Sequence, residues 1–254
     1  MTTTPARRTR ARPRLDVTLV ERGLAPSRER ARALVLARDV RVDGEVATRP
    51  AQQVTADAAI EVREPPPYVS RGGEKLAHAL DRTGLSVRGL RCLDIGASTG
   101  GFTDCLLQRG AREVVAVDVG YGQLAQQLRD DPRVEVRERT NARTLEPLDP
   151  LADLAVVDVS FISLTLVLPA VLDSLRAGAD VLALVKPQFE AERADVQRGG
   201  VVHDAEVHAR VVGRVALWAI ERGVRVRGVV RSPLRGPAGN REFFVWLRAP
   251  EGSS

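Results

Sequence analysis

The sequence predicts an α/β protein with a small α+β module ahead of it. From residue 75 onward, short runs rich in Val, Leu and Ile alternate with longer stretches of helical period. That is the pattern of a mostly parallel sheet covered on both faces. The segment "REPPPYV" (63–69) places three prolines in a row and separates this region from an N-terminal stretch of different pattern. The segment "LDIGASTGG" (93–101) sets glycines between the first strand and the first helix of the α/β region. Open α/β sheets receive nucleotide-like ligands at that point.

The elements follow in order. Residues 1–13, "MTTTPARRTRARP", read as a disordered basic lead. In 14–62, Leu15, Val17, Leu19 and Leu24 predict a short helix ending at Gly23, and Ser27 is the N-cap of a second helix to about Arg38. Ala31, Leu34 and Val35 form the apolar stripe of that helix, while Arg28 and Arg32 share another face at i, i+4. "VRVDGEV" alternates and turns at Asp43-Gly44, a hairpin signal. Residues 63–70 form the Pro-rich linker, and 71–250 the α/β domain. Its strands are "LRCLDI", "EVVAVDV", "RVEVRER", "DLAVVDV", "ADVLALV", "VRVRGVVRS" and "REFFVWLR", a seven-stranded sheet. Its helices are "GFTDCLLQRG", "GQLAQQLRDD", "SLTLVLPAVLDSL" and "DAEVHARVVGRVALWAIERG", the last with Asp204 as N-cap. No helix separates the last two strands, so one of them runs antiparallel. Trp218 and Trp246 fall at apolar periodic positions and read as core.

Composition sets limits on function. With 254 residues, 44% hydrophobic and 28% charged, the chain has the make-up of a globular protein with a full core. Cys92 and Cys105 are too few for a disulfide framework or a zinc site, and read as reduced thiols of a cytoplasmic protein; no metal is implied. The N-terminus has arginines but no apolar run after them, so no signal peptide is expected. The longest uncharged apolar stretch, "VSFISLTLVLPAVL" (159–172), is too short to cross a bilayer and reads as a buried helix. Residues 1–64 hold 13 Arg and 9 acidic residues, against 25 basic and 24 acidic in 65–254, so the net charge of +5 sits almost wholly in the N-terminal quarter. A concentrated basic end points to a polyanion. The residues proposed to face RNA are Arg14, Ser27, Arg28, Arg32 and Arg41, with Arg71 just past the linker.

The glycine loop narrows the ligand. Gly96, Gly100 and Gly101 form G-x-x-x-G-G, neither a dinucleotide fingerprint nor a P-loop. Asp118 closes the second strand, 22 residues after Gly96, where an acid accepts ribose hydroxyls. A glycine loop and a ribose acid without a phosphate grip suit S-adenosylmethionine. The expected cofactor set is Gly96, Ala97, Ser98, Thr99, Gly100, Gly101, Asp118 and Asn141, the last following the third strand where the adenine edge would lie; Asp158 joins it. Asp94 is expected to tie the loop backbone. His203 precedes a helix and reads as structural or substrate-facing.

In order along the chain, "YVSRGGEKL", "LDIGASTGGFTD", "VDVGYGQL", "ERTNAR", "VDVSFISL", "LVKPQFE", "GGVVHD" and "GPAGNREFF" resemble the TlyA family. These are hemolysin-A-like, S-adenosylmethionine-dependent ribosomal RNA 2'-O-methyltransferases. The resemblance covers the chain after its lead, and 14–62 look like the family's S4-type RNA-binding domain. It implies a Rossmann-like class I methyltransferase domain, a cytidine ribose of 16S and/or 23S rRNA as substrate, and ribosomal subunits as partners. It also implies a Lys-Asp-Lys-Glu site: Lys75 in "RGGEKL", Asp158 in "VVDVSF", Lys186 in "LVKPQFE" and Glu242 in "NREFF". The three prolines before Tyr68 depart from the family's linker.

Of 38 basic residues only Lys75 and Lys186 are lysines, and both fall on this set. A lysine amine can give up its proton when desolvated or beside another cation, whereas a guanidinium cannot. Two other readings of the chain remain. An RNA-binding protein with an inert methyltransferase fold would need no such set, although the two lysines could still grip phosphates. A membrane-active hemolysin, suggested by the family's older name, lacks support in any spanning segment or basic amphipathic helix.

Overall fold

The computed structural model describes residues 12–63 and 66–251. The expected lead therefore lies, over residues 1–11, outside the described residues, as do positions 64 and 65 of the linker. The chain divides into two compact units, Met1–Pro65 and Pro66–Ser254.

The N-terminal unit has helices α1 (Leu15–Glu21) and α2 (Arg28–Leu36) and strands β1 (Val40–Val42), β2 (Glu45–Val46) and β3 (Ile60–Val62). The sheet order is β2-β1-β3, antiparallel throughout. Ser27 caps α2 by accepting from Arg30 N–H at 3.2 Å. Asp43 and Gly44 both have positive φ, 50° and 83°, the backbone of a tight hairpin turn. Helix α2 stops two residues before Arg38, whose φ of 64° is left-handed. Strand β3 has no separate sequence signal, because only three residues pair. Leu15, Leu19, Ala31, Leu34, Val35 and Val40 close the core.

The C-terminal unit begins with α3 (Arg71–Thr83), absent from the sequence reading. Its first turn, Arg71-Gly72-Gly73, has low intrinsic helix propensity, and no side chain caps it. The glycine is needed for packing: a Cβ on Gly73 would lie 2.2 Å from the Tyr68 ring. The elements that follow are β4 (Arg91–Ile95), α4 (Gly101–Gln108), β5 (Glu113–Val117), α5 (Gln126–Arg129), β6 (Val134–Arg137) and β7 (Ala152–Val157). Then come α6 (Leu164–Asp173), β8 (Leu175–Val185), α7 (Pro187–Glu190), α8 (Ala205–Ile220), β9 (Arg225–Arg231) and β10 (Phe243–Arg248). The sheet order is β6-β5-β4-β7-β8-β10-β9. β10 is the reversed strand, antiparallel to both β8 and β9. Asp204 caps α8 as expected, accepting from Glu206 N–H at 2.8 Å.

Two apolar layers sandwich this sheet, one under α6 and α8 and one under α3 and α4. Helix α6 buries one side only, since Leu166 is half exposed. Helix α5 has a single turn, shorter than its ten-residue apolar pattern suggested. Both tryptophans are half-buried rather than core. Trp246 Nε1 donates to Asp180 at 2.7 Å, and the Arg222 guanidinium covers Trp218 at 4.6 Å. Indole carries a donor and an electron-rich face, and both tryptophans use them at the rim of the layer. Cys92 and Cys105 are buried and unpaired, and burial pushes their thiols up to about 12 and about 11. Among the described residues no helix is long and apolar enough to cross a membrane.

Candidate active site

The site forms at the carboxyl ends of the parallel strands, where an open α/β sheet leaves a crevice. β4 ends at Ile95 and the chain turns through Gly96 with φ +84°. A Cβ there would come within 2.4 Å of the Asp158 carbonyl oxygen, so only glycine lets this loop lie against the end of β7. Gly101 opens α4, and a Cβ on it would lie 2.2 Å from Ser70 Oγ and 2.9 Å from Gly73 N. The glycines of α3 and α4 thus let the two helix starts approach closely.

Asp118 follows β5. Its Oδ2 accepts from Ser98 N–H at 2.8 Å, and its Oδ1 from Gly120 N–H at 2.6 Å. The acid therefore locks the glycine loop to the end of the second strand, and each oxygen keeps a second lone pair. Asn141 begins a 3-10 turn over Ala142–Thr144 and accepts from Arg143 N–H at 3.0 Å. Gly96, Ser98, Asp118, Asn141 and Asp158 line one cavity of about 440 Å³. Ala97, Thr99 and Gly101 line a second, of about 430 Å³, with Arg71, Lys75 and Arg235. Gly96, Ser98 and Asp158 border both, while Gly100 lines neither.

Each lysine has its own carboxylate. Lys75, buried on α3, donates to Glu242 Oε2 at 2.6 Å, and Glu242 is 1% exposed. Lys186 directly follows β8. Its Nζ donates to Ser160 Oγ at 2.8 Å and lies 2.6 Å from Asp158 Oδ1, a charge contact outside hydrogen-bond angles. Phe243 pairs with Val185, so continuing the same register sets Glu242 beside Lys186. The structure thus gathers the four residues as two ion pairs, with Lys75 reaching from α3 and the other three at neighbouring strand ends, and Asp158 belongs to both cavities.

Several neighbours had no sequence signal of their own. Ser160 is one. Glu190 is another: buried, it accepts from Leu164 N–H and Ser163 Oγ, each at 2.7 Å. It thereby ties the segment after Lys186 to the segment after Asp158, and burial raises its carboxyl above the ordinary range. Phe161 holds φ +65° at the cavity edge, and its ring centroid lies 4.8 Å from that of Phe189. Asp94 does not tie the loop backbone as expected. It is fully buried and accepts from Thr103 Oγ1 of α4 at 2.6 Å, with burial pushing its carboxyl up to about 7. His203 is exposed just ahead of α8.

The arginines of the N-terminal unit divide. Arg14 makes two 3.0 Å bonds to Asp16, and Arg28 joins the same carboxylate at 3.3 Å. Arg41 donates to the Gly44 carbonyl, and Ser27 is committed to its cap. Arg32 is exposed on α2.

A seven-stranded, mostly parallel sheet with its last strand reversed, a glycine loop after the first strand and an acid after the second define a Rossmann-like methyltransferase domain. Residues 68–249 match the FtsJ-like methyltransferase family, and residues 13–60 match the S4 domain. The chain is 53% identical over 241 residues to the "16S/23S rRNA (cytidine-2'-O)-methyltransferase TlyA" of Mycobacterium tuberculosis, covering 93% of this chain and 90% of that one. A solved structure of a candidate hemolysin from Streptococcus thermophilus superposes with a TM-score of 0.72 at 42% identity, covering 95% of this chain and 90% of that one. An S-adenosylmethionine-dependent methyltransferase from Mesorhizobium loti shares the fold at 17% identity, with a TM-score of 0.53 over 67% of this chain and 96% of that one. The chain belongs to the TlyA family of FtsJ-like methyltransferases.

Proposed function

We propose that this enzyme methylates the ribose 2'-oxygen of a cytidine in ribosomal RNA, with S-adenosylmethionine as donor, in the cytoplasm. The relative from M. tuberculosis carries that activity in its name. One observation supports the reading above the others: the two lysines of an arginine-rich chain, one on α3 and one at the end of β8, each pair with a carboxylate at a neighbouring strand end beside the glycine-loop cavities.

The first cavity suits the donor. Its lining contains Asp118 and Asp158 and, among the described residues, no basic side chain. A cavity with acids and no cation favours a positively charged sulfonium compound and disfavours a phosphate-bearing cofactor. Asp118 would accept the ribose hydroxyls through its remaining lone pairs, and Asn141 would border the base. Bound there, the donor supplies an electrophilic methyl group on sulfur.

The protein's part is to hold the 2'-hydroxyl and take its proton. Once the Lys186 ammonium has passed a proton to solvent, its Nζ takes the proton of the attacking 2'-hydroxyl, and Asp158, 2.6 Å away, holds the ammonium that re-forms. Ser160 fixes the direction of the amine. Lys75, paired with buried Glu242 on the wall of the second cavity, contacts the RNA beside the reacting nucleotide and helps to position its 2'-oxygen.

The test is single-turnover methyl transfer to ribosomal RNA by wild type and Lys186→Arg at saturating donor. The arginine keeps the charge and the capacity to bind phosphate, but it cannot become neutral. Turnover is expected to fall roughly a hundredfold or more, the worth of a positioned acid–base group, with donor affinity little changed. Raising the pH is expected to leave the variant inactive. An arginine variant with near wild-type turnover would leave Lys186 as a phosphate grip only.

A further inference from the structure

We propose that a basic track leads from the active site along α3 to the edge strand β9, and that it carries the phosphate backbone of the RNA flanking the target nucleotide. The inference rests on the ribosomal RNA activity proposed above.

The track starts in α3. Arg71, Lys75, His78 and Arg82 are spaced 4, 3 and 4 apart, which sets them on one stripe of the helix. From Arg71 to Arg82 the stripe runs about 16 Å along the axis, at about 1.5 Å per residue. Its first member donates to the Arg235 carbonyl at 2.7 Å, beside the cavity that also holds Lys75. Its last two members, His78 and Arg82, line a separate cleft of about 530 Å³ against β9, together with Arg227, Arg231 and Trp246.

The facing strand is shaped to complete this cleft. The register between β9 and β10 shifts between Trp246 and Leu247, so Trp246 pairs with Gly228 and Leu247 with Val226. Arg227 is the extra residue. Such a bulge re-aims one side chain, and here the Arg227 guanidinium stands over the Trp246 ring, 5.3 Å from its centroid. Regular alternation would have sent Arg227 to the face opposite Gly228. Arg82, Arg227 and His78 thereby converge from two elements on a cleft whose lining has no carboxylate; Arg231 borders it, but pairs with Phe243, which packs on the α8 side of the sheet. Asp81, on the same helix, is held by Arg109, and Asp180 accepts from Trp246. β9 is the last strand of the sheet, so its outer backbone is open. Charged residues also protect such an edge from pairing. That role needs no match with the stripe on α3 and no bulge.

The experiment compares the full-length protein with Arg82→Gln/Arg227→Gln and with the matching double lysine variant. The probe is deproteinised ribosomal RNA from cells lacking the gene, with binding measured over a range of salt. Each lost phosphate contact lowers the slope of log affinity against log salt by about 0.7–0.9, so the glutamine double is expected to lower it by about 1.4–1.8. Affinity is expected to drop at least about tenfold, raising KM, with kcat at saturating RNA and donor affinity unchanged. The lysine double is expected to keep the slope. Equal slopes and affinities for wild type and the glutamine double would overturn the proposal. Wild type that binds the RNA but leaves no methyl on a 2'-oxygen would overturn the activity instead, and the binding comparison would still decide the track.

Discussion

Asp94 illustrates how a single buried group links the cofactor loop to pH. It is the next-to-last residue of the first parallel strand and has no exposed surface; one oxygen is bonded to Thr103, while the other has no protein partner. Desolvation is the main cause that raises its carboxyl to about 7; Thr103 opposes the rise and the nearby Asp158 charge adds to it. The folded value lies above the unfolded one, so the native state holds a proton that the unfolded chain has lost. The stabilisation is complete below the unfolded value near 4 and is lost as pH rises toward 7. Asp94→Asn keeps the acceptor for Thr103 and removes the titration. Denaturant unfolding of both proteins from pH 5 to 8 is expected to show the asparagine variant gaining on wild type by at most about 1.4 kcal/mol per pH unit, levelling off above about 7. Parallel stability curves would show that Asp94 is ionised throughout.

At the level of elements, the candidate active site depends on two short segments held together by Glu190. One runs from Asp158 to α6, and the other from Lys186 through α7. Glu190 closes the second segment onto the first turn of α6 with two 2.7 Å bonds. Glu190→Ala leaves the Leu164 N–H and Ser163 hydroxyl without that partner, at a cost of about 1–3 kcal/mol. Turnover is expected to fall with stability, since Lys186 and Asp158 sit on the two segments. Glu190→Gln can still accept from Leu164 and donate to Ser163, so it is expected to keep both. Thermal unfolding with single-turnover rates separates the two variants, and equal behaviour of Ala and Gln would refute the clasp. Sequence patterns disclosed the strands that alternate with long helices, because their apolar runs are continuous and their caps, Ser27 and Asp204, are conventional. They missed α3, whose first turn contains two glycines that serve a close helix approach and weaken the helical signal. They missed β3 because pairing over three residues leaves no period to detect. Candidate site residues could be picked where chemistry restricts residue type, as at Lys75, Asp118, Asp158 and Lys186, and the fold brings these to one end of the sheet. Ser160 and Glu190 could not be picked, because serine and glutamate are ordinary residues until the fold brings partners from 26 or 27 positions away.

At the scale of the whole molecule, the excess charge and the candidate catalytic residues fall in different parts of the chain. The first 64 residues carry +4 of the net +5, while the lysine–carboxylate pairs and both cavities lie after residue 66. Each unit has a core of its own, so neither depends on the other for burial. Within the N-terminal unit, part of the basic charge is internal structure. The Arg14 hydrogen bond, aided by Arg28, holds the buried Asp16 carboxyl below the usual carboxylate range. Arg28→Ala therefore perturbs the unit's fold as well as its surface. Arg32, exposed on the same helix, offers its charge to solvent and is the cleaner probe of RNA contact. Removing residues 1–64 is expected to leave donor binding intact, because the cavity proposed for the donor belongs wholly to the second unit. The same truncation is expected to abolish ribosomal RNA methylation near 0.15 M salt and to recover part of it at low salt, where the remaining arginines attract phosphate more strongly. In the full chain, Arg32→Ala is expected to lower the slope of log affinity against log salt by about 0.7–0.9, one phosphate contact, without changing turnover at saturating RNA. A truncated protein that methylates ribosomal RNA as well as the full chain at 0.15 M salt would assign RNA affinity to the catalytic unit alone. The arginines of α3 and β9 would then have to supply all of it.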